Sequence, residues 1–208
     1  MRIVAVTKGF PPAAVSAALA NGLLDVGENY AQELLAKATD PGTGGPGEVP
    51  DTGWAPPSPR WHFLGAVQRN KVRRLAPLVH LWQGVVRVVE AAEISRHRPG
   101  ARILVEVDTT GDPRRRGCPL GEVPALVDAI RELDVDLRGL MTVAPIDRDA
   151  ARGCFEAVGA LADRLGLPER SMGMSDDMEY AVAAGSTMVR LGRALFGPGR
   201  RSPFPPVG

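Results

Sequence analysis

Lysine is scarce in this chain: of 25 basic residues only Lys8, Lys37 and Lys71 carry an ammonium group. Net charge is scarce too, because 25 Lys plus Arg stand against 24 Asp plus Glu. A chain at +1 projects no field toward nucleic acid or an anionic membrane, so neither is an expected partner. The two cysteines, Cys118 and Cys154, match no metal-ligand spacing, and no metal site is expected. Two incidental thiols suit a reducing compartment. No apolar run approaches the about 18 residues of a membrane span. The opening MRIVAVTKGFPP is too short for a signal peptide and no small-residue cleavage site follows. A cytoplasmic protein is expected.

What is present is 44% hydrophobic residues over 208 positions, enough for one sizeable core. Short apolar runs alternate with helical patterns along the whole chain. The strand-like runs are Ile3–Val6, Leu24–Gly27, Trp61–Gly65, Val79–Gln83, Ile103–Asp108, Leu137–Val143, Ser171–Met174 and Thr187–Leu191. Helical spacings fall between them, at Ala13–Ala20, Tyr30–Ala38, Asn70–Leu75, Val88–Arg98, Val123–Leu133, Ala150–Leu165 and Asp176–Ala184. Such alternation implies an α/β fold with parallel strands. An open doubly wound sheet and a closed (β/α)8 TIM barrel both fit, and the count of eight favours the barrel. Residues 40–60 are crowded with Pro and Gly and read as a long mobile loop. Residues 198–208 read as a disordered tail, which leaves one domain over 1–197.

Gly42–Gly47 satisfies the letters of GxGxxG but follows a helical pattern, and Pro46 and Pro50 forbid a helix after it. It is a decoy for dinucleotide binding. Lys8 ends the first strand, where a solvated lysine is the ordinary outcome. The alternative is chemical. Strand ends of a barrel point at its catalytic rim, where a dehydrated lysine has a lowered pKa and can attack a carbonyl. Ser175, with Asp176 and Asp177, looks like the N-cap of a helix, and helix starts also suit phosphate. Arg190, Gly192 and Arg193 follow in the run that ends the eighth strand, a second place where barrels hold phosphate. Together these features suggest a phosphorylated carbonyl ligand.

The segments VAVTK, GENYAQE (Gly27–Glu33), WHFLGAVQRNK (Trp61–Lys71), GLMTVAP (Gly139–Pro145) and MGMSDDMEYAVAAGSTMVRLGRALFG resemble the pyridoxal phosphate homeostasis protein family. That family is the single-domain relative of the alanine racemase N-terminal barrel. The resemblance runs from Met1 to Gly197 in the expected order. It implies a (β/α)8 barrel holding pyridoxal 5'-phosphate (PLP) as a reversible internal aldimine on Lys8. It also implies Asn29 near the cofactor, Ser175 on the phosphate with the backbone N–H groups of Gly192 and Arg193, and Arg190 at the pyridine nitrogen. His62 falls at a family position too, where a packed, hydrogen-bonded histidine is an equal alternative.

The chain departs from the family in three places. It opens at the first strand, lacking the usual leading helix, which leaves a bare apolar patch expected near Met1–Val6. Arg193 stands where the family has a small residue, and the Pro/Gly loop is an insertion. An arginine at the ring nitrogen offers only donors, so that nitrogen stays unprotonated and the ring is a weak electron sink. Racemisation also needs a second base, and the tyrosines, Tyr30 and Tyr180, both sit in helical patterns. The leading expectation is a PLP carrier serving vitamin B6 homeostasis with no catalytic residue, a monomer or weak homodimer that passes PLP to apo-enzymes. A weak racemase-like enzyme and an aldolase-like barrel without PLP are the alternatives.

Overall fold

The computed structural model describes residues 1–43 and 58–198. Most of the Pro/Gly loop, most of the glycine match and nearly all of the expected tail lie outside the described residues. The strands are β1 (Arg2–Val6), β2 (Asp25–Glu28), β3 (Arg60–Phe63), β4 (Val79–Val85), β5 (Ala101–Asp108), β6 (Cys118–Pro119), β7 (Val135–Thr142), β8 (Glu169–Ser171) and β9 (Met188–Leu191). Every pairing is parallel. The sheet runs β4-β3-β2-β1-β9-β8-β7-β5, and the β4–β5 pairing closes it into an eight-stranded barrel. The two-residue β6 only extends the edge of β5. The closed (β/α)8 barrel is therefore the fold, and the open sheet is excluded.

Among the described residues eight α-helices accompany the strands: α1 (Pro12–Ala20), α2 (Ala31–Ala38), α3 (Arg69–Leu75), α4 (Val88–His97), α5 (Val123–Arg131), α6 (Arg148–Arg164), α7 (Met178–Ala183) and α8 (Arg193–Phe196). The main core lies between helices and sheet, as at Val15, Leu34, Ile94, Val127 and Phe155. A separate small cluster, Val4, Leu81, Leu104, Met141 and Met188, shares the barrel interior with buried polar side chains. Burial on both faces explains why β1 reads as a continuous apolar run after Arg2 instead of an alternating one. The longest helix, α6, starts where the Asp147 carboxylate accepts the Ala150 N–H at 2.9 Å, an N-cap bond.

The structure corrects the sequence reading in three places. The seventh predicted run, Ser171–Met174, is strand only at Ser171; β8 lies over Glu169–Ser171. Arg170 and Thr187 lock that register, with the Arg170 N–H on the Thr187 hydroxyl at 2.8 Å. The chain then leaves the extended region at Gly173, whose φ of 93 suits glycine and strains other residues. Ser175 is not a helix N-cap either, because α7 begins at Met178 with Asp177 before it. The bare patch expected at Met1–Val6 is mostly covered: Val4, Ala5 and Val6 are buried, and only Met1 stands well out.

Candidate functional site

Because all strands run in parallel, their C-terminal ends gather at one rim. A cavity of about 520 Å3 opens there, lined by Lys8, Asn29, Ser175, Arg190, Gly192 and Arg193 together. Six residues spread over the sequence from position 8 to 193 meet at one site. A wider groove of about 830 Å3 adjoins it across Pro145 and Ile146 but contains none of the six.

Lys8 stands just past the end of β1, exposed to the cavity and without a hydrogen bond or ion pair among the described residues. The surrounding walls still strip enough hydration from its ammonium to lower its pKa. Burial is the main cause and the Arg190 cation the next, while Glu28 and Glu33 oppose both. A lowered pKa enlarges the fraction of neutral, nucleophilic amine.

The backbone around Lys8 is fixed from α2. The Lys37 ammonium donates to the Thr7 carbonyl at 2.7 Å and to Glu28 Oε1 at 2.6 Å. The Glu33 carboxylate accepts the Gly9 N–H at 2.8 Å, and the Thr7 hydroxyl donates to Glu28 Oε1 at 2.6 Å. The residues on either side of Lys8 are thus pinned by an i,i+4 pair, Glu33 and Lys37. Sequence reasoning placed Lys37 in a helix and missed this role; the E-x-x-x-K spacing was the available signal. Glu28 is fully buried, and dehydration pushes its carboxyl up to about 7 against the pull of Lys37.

Arg190 lies deeper, on β9 in register with Val4. Burial lowers its pKa to about 10, so it remains cationic at neutral pH. Its guanidinium donates to the Ser171 carbonyl and hydroxyl and to the Thr142 carbonyl, at 2.7 to 2.8 Å. Three of five N–H bonds are thereby used, leaving two for a ligand. Asn29 follows β2, and its side-chain Oδ1 is buried with no hydrogen-bond partner among the described residues. Gly65 lets its neighbour approach, since a Cβ there would lie 1.9 Å from the Asn29 carbonyl oxygen.

Ser175 sits in a turn before α7, and its hydroxyl accepts the Ala194 N–H of α8 at 3.3 Å. That bond joins the two segments that the sequence suggested separately for phosphate. Arg193, in the first turn of α8, turns its guanidinium to Asp176 in an exposed ion pair. His62 does not line the cavity. It is fully buried inside the barrel, hydrogen-bonded to Asp25 and Gln83, so the packed alternative describes it. Of the two tyrosines only Tyr180 reaches the cavity wall, with the Arg152 guanidinium 5.4 Å from its ring centre.

The family model for the alanine racemase N-terminal domain matches residues 1–199. A Pseudomonas aeruginosa protein named pyridoxal phosphate homeostasis protein is 37% identical over 204 residues, covering 94% of this chain and 83% of that protein. The chain belongs to the pyridoxal phosphate homeostasis protein family. The human member of the family, of the same name, is 32% identical over 217 residues and is covered to 76%. Among solved structures, Synechococcus elongatus PipY without PLP superposes with a TM-score of 0.82 at 30% identity, over 95% of this chain and 93% of that one. PipY with PLP bound superposes with a TM-score of 0.79 at 29% identity, over 95% of this chain and 92% of that one. Lysine decarboxylase from Selenomonas ruminantium shares the barrel at 14% identity, which speaks for the fold alone. For this family member the comparisons and the rim cavity agree on architecture.

Proposed function

We propose that this chain binds pyridoxal 5'-phosphate at the rim cavity and serves PLP homeostasis, with Lys8 as the attachment point. One observation carries the reading: a lysine with a lowered pKa shares a cavity with a buried arginine and a buried, unpartnered asparagine oxygen. The residues present fit the group. When bound, PLP supplies an aldehyde that a neutral lysine amine takes up reversibly.

Each residue then has a physical task. Lys8 offers its amine while Glu33 and Lys37 hold the residues flanking it. Ser175 and the backbone N–H groups of Gly192 and Arg193 receive the phosphate; a backbone contact tolerates arginine at 193. Asn29 Oδ1 would accept a hydrogen bond from a donor group of the cofactor, which ends its isolation. Arg190 donates to the ring nitrogen and, having no proton to give up, leaves that nitrogen unprotonated. The weakened electron pull suits holding the cofactor better than turning over amino acids. Of the alternatives, racemase-like turnover is favoured only by Tyr180 on the cavity wall, and that ring is already faced by Arg152.

The mouth suits exchange with PLP-requiring apo-enzymes, since Val143, Ile146 and Met174 are exposed around it. A cytoplasmic setting agrees with Cys118 and Cys154, both unpaired thiols. A monomer or weak homodimer, with one domain over 1–197, completes the reading.

Incubation with PLP, borohydride reduction and peptide mapping test it. The pyridoxyl group should sit on Lys8, since Lys37 is consumed by its ion pairs. Label mainly on Lys37 or Lys71 overturns the attachment. A protein that stays colourless with added PLP overturns the whole reading and revives the PLP-free aldolase-like barrel.

A further inference from the structure

Behind Arg190, a single file of hydrogen bonds runs through the barrel interior. The Arg190 guanidinium donates to Ser171 Oγ at 2.8 Å, and that hydroxyl lies 2.6 Å from Gln83 Oε1. Gln83 Nε2 lies 2.7 Å from His62 Nδ1, and His62 Nε2 lies 2.8 Å from Asp25 Oδ1. Arg60 closes the far end on Asp25, with contacts of 3.0 and 2.6 Å. Ser171, Gln83 and His62 are each fully buried, and none of the three lines the cavity.

The donor inventory leaves this file one consistent direction. Arginine only donates, so Ser171 Oγ accepts from it and sends its own proton to Gln83 Oε1. That fixes the Gln83 amide with its NH2 toward His62, where Nδ1 must accept. The remaining imidazole proton is then on Nε2 and goes to the Asp25 carboxylate. Turning the amide over would aim two donors at Ser171 and leave the serine proton without an acceptor. Burial disfavours the imidazolium form of His62, in keeping with the neutral tautomer that the file requires. Arg190 thus has its attitude set by neutral groups that touch no ligand.

We propose that Gln83, oriented by His62 and Asp25, is a positioning residue that aims Arg190 at the cofactor's ring nitrogen through Ser171. This rests on the PLP reading above. Gln83→Met keeps length and apolar bulk but removes the bonds to Ser171 and His62 and the weaker Nε2–H contact to Met188 Sδ at 3.1 Å, while Ser171→Ala breaks the next link.

The test compares binding of PLP with binding of its deaza analogue, in which the ring nitrogen is replaced by carbon. Wild type should prefer PLP. Gln83→Met should weaken PLP about tenfold, the lower range for one hydrogen bond to a charged group, and leave the analogue unchanged. In an Arg190→Met background the Gln83 effect should vanish, because groups acting in series are not additive. Equal loss for both ligands, or an undiminished effect without Arg190, overturns the proposal and makes Gln83 merely structural. Wild type that binds neither ligand refutes the PLP reading instead. Should Gln83→Met not fold, Ser171→Ala carries the same comparison. Nitrogen-15 spectra of the unaltered protein give an independent check: His62 should show a proton on Nε2 alone, and a proton on Nδ1 overturns the file.

Discussion

Lys8 and Arg190 line the same cavity, yet the protein secures them by opposite means. Around Lys8 the holding groups are charged: Glu28, Glu33 and Lys37, each less than a tenth exposed, with Lys37 bonded to the backbone beside the lysine. Behind Arg190 the groups that touch it are neutral: a serine hydroxyl and two carbonyls, with a glutamine and a histidine next in line. The difference teaches something about tuning. Nearby carboxylates draw Lys8 back toward its charged form, so they offset part of the burial and limit how far its pKa falls. Neutral dipoles make the hydrogen bonds that hold the arginine, and the Glu106 and Asp177 carboxylates act on its charge only through space. Breaking the charged set should also cost more, because a buried charge left without its partner is penalised more than a lost neutral bond.

The largest effect should come from Lys37→Met. It leaves the buried Glu28 without its cation and removes a donor from the Thr7 carbonyl. Urea unfolding near pH 8 should show a loss of about 3–5 kcal/mol. The loss should shrink toward pH 5, as Glu28 takes up a proton. A loss below about 1 kcal/mol at pH 8 would erase the contrast between the two ends.

Ser171→Ala should come next, at about 1–3 kcal/mol in the same unfolding measurement, since Gln83 Oε1 and one Arg190 donor each lose a partner. A loss as large as that of Lys37→Met would show that the neutral file is as costly to break as the charged cluster.

A pH-dependent effect sharpens the charged side. Dehydration raises the folded-state pKa of Glu28 from 4.5 to about 7. Between those values the folded protein holds a proton that the unfolded chain has released, so this group makes stability fall as pH rises. Glu28→Gln should flatten the fall in urea midpoint between about pH 4.5 and 7 relative to wild type. A wild-type midpoint curve that the substitution leaves unchanged would show Glu28 ionised across the window.

Much of the lining of the candidate site was legible because its signals are local. Lys8 stood out at the end of an apolar run in a chain with few lysines, and parallel strands had to carry such ends to one rim. The segment 171–197 marked the opposite wall through its serine, glycine and arginine residues, even though Ser175 sits in a turn and not at a helix cap. Lys37 was read only as helical, although its spacing from Glu33 signalled an ion pair. Its burial depends on how α2 packs against the first two strands, which spacing along one helix does not encode. His62, Gln83, Ser171 and Arg190 come from four strands, β3, β4, β8 and β9, and share no local pattern.

The sequence by itself determined the alternation of strands and helices, the family and the lysine at the first strand end. Each depends on short-range order: apolar periodicity, runs of matched residues, and one residue type at a conspicuous place. Tertiary structure alone decided that β4 pairs with β5 to close the ring, and which polar side chains then share the interior. Closure places residues far apart in the chain within hydrogen-bond reach, as with Gln83 and Ser171 at 2.6 Å. Once enclosed away from bulk solvent, such groups find partners in one another, and the direction of each bond in the file follows from what each group can donate.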